Sequence, residues 1–353
     1  MSDSSAPPSA PSPEAVLFEK MRAMVESEFG VEDAFVEFGI PTFYVGLRKD
    51  LKEAFLRLYR CLDPMGFVPT LRRRSDRVVL QVLSKPQLGR GRGIVNVFLL
   101  LATIGTLLIS GYLQSVTALD AVLFAVAVMA ILGSHEMGHK LTANKYGVEA
   151  TYPYFIPGLP PPLGLGTFGA VIQQKSLAPN RDALFDIGAT GPIVGFLFTV
   201  VVALVGVSMS KVYVVSEIPS GSAPMPLLLE LFVLLLHNPL ASGYAVLEVH
   251  PVALAGWAGM LVTMWNLLPI GTLDGGHVIH SLWGSSKARS VLSFLSIFLL
   301  LIFGFYVMAF LVLFLSRYQH PAPLDGVSEI STSRKIVAVG LVVIFVLCLA
   351  PSL

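Results

Sequence analysis

The chain has 353 residues, of which 54% are hydrophobic and only 13% charged, with a mean hydropathy of +0.73. Ordinary soluble domains carry about 25% charged residues, so a soluble globular protein is excluded and an integral membrane protein is expected. The net charge of +1 argues neither for nor against nucleic acid, no nucleic-acid partner is expected, and Cys61 and Cys348 suggest neither a disulfide framework nor a cysteine metal site.

Residues 1–14, MSDSSAPPSAPSPE, are polar and rich in Pro and Ser. They lack a basic start followed by an apolar core, so they read as a disordered tail and not as a cleaved signal peptide. Residues 15–88 read as a small α+β soluble domain. AVLFEKMRAMVESEFG has apolar positions at helical spacing and ends at Gly30, and DAFVEFG and TFYVGL alternate like two strands around a Gly-Ile-Pro turn. KDLKEAFLRLYRCLDPMG returns to the helical period and stops at Pro64 and Gly66. GFVPTL and RVVLQVL then flank the charged turn RRRSD, where Arg72, Arg73, Arg74 and Arg77 read as a solvated hairpin tip.

Residues 89–353 read as a membrane domain. A helix needs about 20 mostly apolar residues to cross a bilayer. Six stretches are predicted to do so: Ile94–Leu113, Ala121 to about Ala143, Ala183–Met209, Val252–Leu268, Val291–Leu315 and the short Ile336–Leu349. Between the second and third, Val148–Arg181 is too rich in Pro and Gly for a helix and too apolar for a polar loop. Such backbone survives at membrane depth only when buried in protein or lining a wet cavity, which predicts a re-entrant, β-rich segment. The stretch 210–250 contains PLLLELFVLLLH, too short to span and carrying Glu230, and reads as an interfacial helix.

Basic residues near span ends set orientation. Lys85, Arg90 and Arg92 precede the first span, Lys140, Lys145, Lys175 and Arg181 follow the second, and Lys287 and Arg289 precede the fifth. The opposite side has Lys211, and Arg317, Arg334 and Lys335 in the final loop. The soluble domain and the end of span two are therefore expected to face the cytoplasm across the cell membrane, and the final loop to face away from it.

That end of span two reads ILGSHEMGHK. His135, Glu136 and His139 form H-E-x-x-H, and side chains four apart share a helix face, so both imidazoles can ligate one ion with Glu136 placed to take a proton from water. Ionisable groups at a membrane span are costly and point to function. A hydrolytic zinc site usually has three protein ligands and one open position. TMWNLLPIGTLDGGHVIHSLWG, residues 263–284, offers Asp274 at matching depth beyond the end of span four, with Gly275 and Gly276 removing bulk. His277 and His280 are alternative ligands nearer the membrane surface, whereas His237, His250 and His320 belong at the opposite face. Asn266, buried within span four, reads either as a helix–helix hydrogen bond or as a donor to a developing oxyanion. Thr167–Ser176, TFGAVIQQKS, alternates enough for a strand whose open edge holds an unwound peptide, with Gly169, Ala170, Val171 and Ile172 as the expected contacts.

HEMGH in one span paired with N-L-L-P-x-x-x-L-D-G-G in another resembles the site-2 protease family of zinc intramembrane metalloproteases. GTFGAVIQQKS, D-I-G-A-T-G-P and HPVALAGWAG add to the likeness, which is to the branch without a PDZ domain shared by archaea, bacteria and plastids. It covers about residues 94–290. The resemblance implies one Zn2+ per chain held by His135, His139 and Asp274, with Glu136 as base and Asn266 contacting substrate or oxyanion. It implies hydrolysis of peptide bonds within or near the transmembrane helices of membrane-anchored substrates. The competing reading, a polytopic cation permease with an intramembrane His/Asp site, predicts duplicated broken helices. The sequence shows no such repeat, and a permease has no use for Glu136 as a base.

Overall fold

The computed structural model describes residues 13–85, 93–114, 117–161, 164–215, 225–237, 244–271, 273–283, 286–302, 306, 309–310, 313 and 322–349. The expected tail up to residue 12, Arg90, Arg92, Arg317, His320, parts of the 210–250 stretch and much of the second half of the expected fifth span lie outside them. The chain divides into two compact units, one comprising residues 1–88, 179–181 and 322–329, the other the remainder.

In the first unit, helices α1 (Pro13–Glu28) and α2 (Leu51–Leu62) pack with strands β1 (Val31–Glu37), β2 (Ile40–Val45), β3 (Phe67–Arg74) and β4 (Arg77–Ser84). The strands form an antiparallel sheet in the order β1-β2-β4-β3. Leu51, Ala54, Phe55, Leu58 and Leu62 recur at three and four residues along α2, so they bury as one stripe. They meet Met21, Val25, Phe43, Leu71 and Leu80 in the core. The first hairpin turns at Phe38 and Gly39, with φ of +51° and +79°, and not at the expected Gly-Ile-Pro. Positive φ at both central residues makes this a type I′-like two-residue turn, and Ile40 and Pro41 instead open β2.

The tip of the second hairpin is exposed at Arg73, Arg74 and Arg77, as expected, but Arg72 is half-buried. Arg72 donates Nη1 to the carbonyls of Leu71 at 3.0 Å and Leu324 at 2.6 Å. Burial lowers the pKa of its guanidinium, with Asp325 opposing. Residues 322–329 run beside β3, Leu71 N–H donating to Leu324 O and Gly326 N–H to Leu71 O. Arg74 pairs with Glu37 at 3.2 Å, and Arg77 stacks 5.1 Å over Tyr44.

The second unit is mainly helical: α3 (Gly93–Gln114), α4 (Ala118–Lys145), α5 (Arg181–Met209), α6 (Leu227–His237), α7 (Pro251–Asn266), α8 (Asp274–Leu282), α9 (Ser286–Ile302) and α10 (Thr332–Cys348). Among the described residues α3, α4 and α5 are long and apolar enough to cross a membrane. Among the described residues the other expected spans appear as helices of 16 residues (α7) and 17 residues (α9 and α10), so six spans are not confirmed there.

Small residues bring α4, α5 and α7 together, as apolar helices without a hydrophobic drive require. A Cβ on Gly138 would lie 2.8 Å from Thr190 O, and one on Gly206 2.2 Å from Ala253 N. These contacts make α5 antiparallel to both α4 and α7. The C-terminal ends of α4 and α7 therefore share one end of the unit with the start of α5. At the far end His250 caps α7 and lies 3.3 Å from Asp120 at the start of α4, while His237 Nε2 meets Val207 O at 3.0 Å.

Helix α10 runs opposite to the direction expected. Arg334 at its start pairs with Asp186 at the start of α5, whereas Leu349 at its end accepts from Leu227 N–H at the start of α6. Residues 322–329 belong to the same compact unit as the N-terminal sheet, and one packed unit cannot be divided across a bilayer. Arg334 is paired with Asp186 at 2.7 Å, so it is not the free cation near a span end that the charge count assumes.

Between α4 and α5 the chain forms a hairpin of β5 (Tyr154–Pro157) and β6 (Thr167–Val171). Two polar residues inside α3 hold it: Asn96 Nδ2 donates to Tyr152 O at 3.1 Å, and Thr106 Oγ1 to Gly166 O at 2.7 Å. Ten residues of helix separate these anchors, a rise of about 15 Å, so the hairpin stands alongside the span. The 210–250 stretch holds a strand pair that the sequence did not suggest, β7 (Lys211–Val215) with β8 (Tyr244–Glu248). Helix α6 buries Leu228, Leu229, Phe232 and Val233 in a cluster with α5, α7 and α10.

Candidate active site

His135 and His139 sit one turn apart on the buried face of α4, with ring centroids 4.9 Å apart. Asp274 is the first residue of α8, which starts after the chain has left α7 and turned through Leu267–Leu273. That turn is tight: a Cβ on Gly275 would lie 2.2 Å from Leu267 O, and one on Gly276 2.5 Å from Gly271 O. It brings Asp274 Oδ2 to 3.1 Å from His135 Nε2 and 3.2 Å from His139 Nε2, the two nitrogens being 3.2 Å apart.

Three donor atoms in a near-equilateral triangle fit a tetrahedral ion. Ligands about 2.0–2.1 Å from zinc lie roughly 3.3 Å from one another. The protonation pattern fits as well. His139 Nδ1 donates to Ile187 O at 2.7 Å, which leaves Nε2 of the neutral ring with its lone pair facing the centre. Two imidazoles and a carboxylate, with no thiolate, form a zinc-type donor set. Among the described residues this is the group of His, Cys, Asp or Glu side chains able to hold an ion. His277 lines the same cavity but is outside the triangle.

The segment D-I-G-A-T-G-P-I-V-G supplies the opposing wall. A Cβ on Gly191 would lie 2.0 Å from His139 Nε2, one on Gly195 2.9 Å from His135 Nδ1, and one on Gly188 2.6 Å from His277 Cβ. Sequence reasoning noted this segment as a motif and assigned it no role. The signal was its spacing, since glycines at i, i+3 and i+7 form one stripe of a helix.

Glu136 faces a cavity of about 560 Å³ shared with His135, His139, Asp274, Asn266 and residues 170–178. Ala170, Val171 and Ile172 line the cavity, whereas Gly169 does not: its N–H is engaged by Thr167 Oγ1 at 2.9 Å. Strand β6 pairs only with β5 among the described residues, so its other edge carries no strand. Asn266 ends α7 half-buried against the cavity.

The sequence profile of peptidase family M50 matches residues 123–309, a segment that contains every one of these side chains. The chain belongs to peptidase family M50. This M50 chain is 34% identical over 245 residues to the probable zinc metalloprotease EGY1, chloroplastic, of Arabidopsis thaliana, covering 66% of the chain and 43% of that protein. It is 32% identical over 244 residues to the probable zinc metalloprotease EGY2, chloroplastic, of Oryza sativa subsp. indica, covering 67% of the chain and 44% of that protein. The chain thus spans less than half the length of these relatives. Among solved structures, the site-2 protease from Methanocaldococcus jannaschii is 18% identical, covering 70% of this chain and 98% of that one, at a TM-score of 0.31, too low to bear on the fold.

Proposed function

We propose that this M50 peptidase is a membrane-embedded zinc endopeptidase that hydrolyses peptide bonds within or near the transmembrane helices of membrane-anchored proteins. The observation that carries the reading is the triangle of His135, His139 and Asp274 beside Glu136, set in an apolar bundle and open to a cavity. One zinc ion per chain is the stoichiometry this single triangle supports. When bound, zinc supplies Lewis acidity, lowering the pKa of a water toward about 7 and polarising a carbonyl.

The protein's own groups do the rest. Glu136 takes the proton from the attacking water and returns it to the leaving amine, a role worth about 10² to 10⁴ in rate. The Asn266 amide, at the cavity wall, donates to the oxygen on which charge develops. A helical peptide shields its own bonds, so it must unwind before it is cut. The unpaired edge of β6 suits that task, because added main-chain hydrogen bonds hold an extended peptide against Ala170, Val171 and Ile172. The compartment that fits the basic residues near α4 and α5 is the cytoplasmic side of the cell membrane, with the 15–88 domain on that side.

The test is reconstitution of the full chain with a membrane-anchored substrate. Glu136→Gln is expected to keep bound zinc and to lose at least about 10²-fold in cleavage rate. Cleavage by the variant at the wild-type rate removes Glu136 from the mechanism. Removal of zinc by a chelator is expected to abolish cleavage by the wild type, and readdition to restore it.

A further inference from the structure

Arg334, at the start of α10, lies outside the residues matched by the family profile, yet the hydrogen-bonded cluster it joins reaches to within one residue of a group that orients a metal ligand. Arg334 grips both carboxylate oxygens of Asp186, Nε donating to Oδ1 at 3.0 Å and Nη2 to Oδ2 at 2.7 Å. Tyr146, which caps α4, donates its hydroxyl to Asp186 Oδ2 and accepts from Arg334 Nη2 at 3.2 Å. The Asp186 carbonyl accepts from Thr190 Oγ1, and that hydroxyl meets Thr142 Oγ1 of α4 at 2.8 Å. Forked arginine–carboxylate pairs add geometric definition as well as energy. Here the fork joins the end of α4, the start of α5 and the start of α10.

The residue after Asp186 is Ile187, whose carbonyl lies 2.7 Å from His139 Nδ1. That acceptor decides which ring nitrogen holds the proton, and so keeps Nε2 bare toward Asp274 and His135. The first turns of α5 also carry Gly188 and Gly191, against which the His277 and His139 side chains pack. A small rotation of these turns would move the acceptor and press a helix backbone into the His139 ring.

We propose that Arg334 is a positioning residue for the metal centre: by locking Asp186 to Tyr146 it fixes the start of α5, and with it the Ile187 carbonyl that orients His139. The inference rests on the metal reading given above. A purely structural staple makes a different prediction, because α10 has a second anchor. Ser331 donates its backbone N–H and its hydroxyl to Asp182, at 2.9 and 2.5 Å. Its loss would loosen α10 without touching Asp186.

The experiment uses the full chain purified in detergent, with two readouts besides activity: zinc affinity by chelator competition, and the d–d absorption of the Co2+-loaded protein. Arg334→Met and Asp186→Asn are expected to weaken zinc by about tenfold, as loss of outer groups that orient ligands commonly does, and to alter the Co2+ bands. Arg334→Lys is expected to restore only part of the affinity, since an ammonium cannot grip two oxygens and Tyr146 together. Ser331→Ala is expected to leave affinity and spectrum unchanged. Wild-type affinity and bands in Arg334→Lys and Asp186→Asn would overturn the assignment even if Arg334→Met fails to fold. Equal losses in Ser331→Ala would also overturn it, in favour of a staple. A wild type that binds neither metal removes the metal centre itself, and the inference with it.

Discussion

Single atoms decide whether the donor triangle can exist. The His139 ring lies flat enough on α5 that one methyl group would displace it: a Cβ on Gly191 falls 2.0 Å from Nε2 and 2.4 Å from Cε1. Both contacts are far inside van der Waals distance, and the other side is helix backbone that cannot yield. Gly191→Ala is therefore expected to lose bound zinc while the chain still inserts and folds. Gly340→Ala in α10, where no atom lies within 4 Å, serves as the harmless control, and metal content after purification reads both. A zinc content near wild type in Gly191→Ala would sink the packing argument. Of these residues, His135, Glu136 and His139 were legible in the chain because a four-residue interval on a helix is itself a geometry. Ile187 was not, because its contribution is a carbonyl that every residue owns.

Among the elements, the β5–β6 hairpin shows how an apolar, Pro-rich segment is held at depth. Its backbone polar groups need partners, and an apolar helix offers few; Asn96 and Thr106 are the ones α3 supplies. Thr106→Val keeps the shape and removes the donor to Gly166 O. Gly166 O keeps the N–H of Gly158, so the loss is that of one net hydrogen bond, about 0.5–1.5 kcal/mol, and the variant is expected to melt slightly earlier in detergent. The hairpin is also expected to become open to protease at its tip before the helices unfold. An unchanged melting point and cleavage pattern would count against this anchor. The sequence pointed to a non-helical insert here through its prolines and glycines. It missed β7 and β8, since five-residue runs such as KVYVV next to long apolar helices do not stand out from them.

Across the whole molecule, the direction of α10 is the feature most exposed to test. Residues 322–329 pack in one unit with the N-terminal sheet through Arg72, Leu71 and Leu324. In a chain lacking Cys61 and Cys348, single cysteines at Ser75 and Ala322 are expected to react with an impermeant thiol reagent from the same side of sealed vesicles. Labelling of Ser75 and Ala322 from opposite sides would refute the shared unit. Charge counting along the sequence could not find this arrangement, because it treats Arg334 as a free cation near a span end.

Composition and periodicity determined that this protein lives in a bilayer, where its long helices run, and which helix carries two imidazoles and a carboxylate. Those properties are local: each depends on residues within a turn or a span of one another. Tertiary structure alone decided how close Asp274 comes to the imidazoles, which carbonyl orients His139, and which way the last helix runs. Each of these depends on pairs far apart in the chain, such as Asp186 with Arg334 or Gly191 with His139, whose meeting is set by how closely small residues let helices approach and by which buried charges find each other.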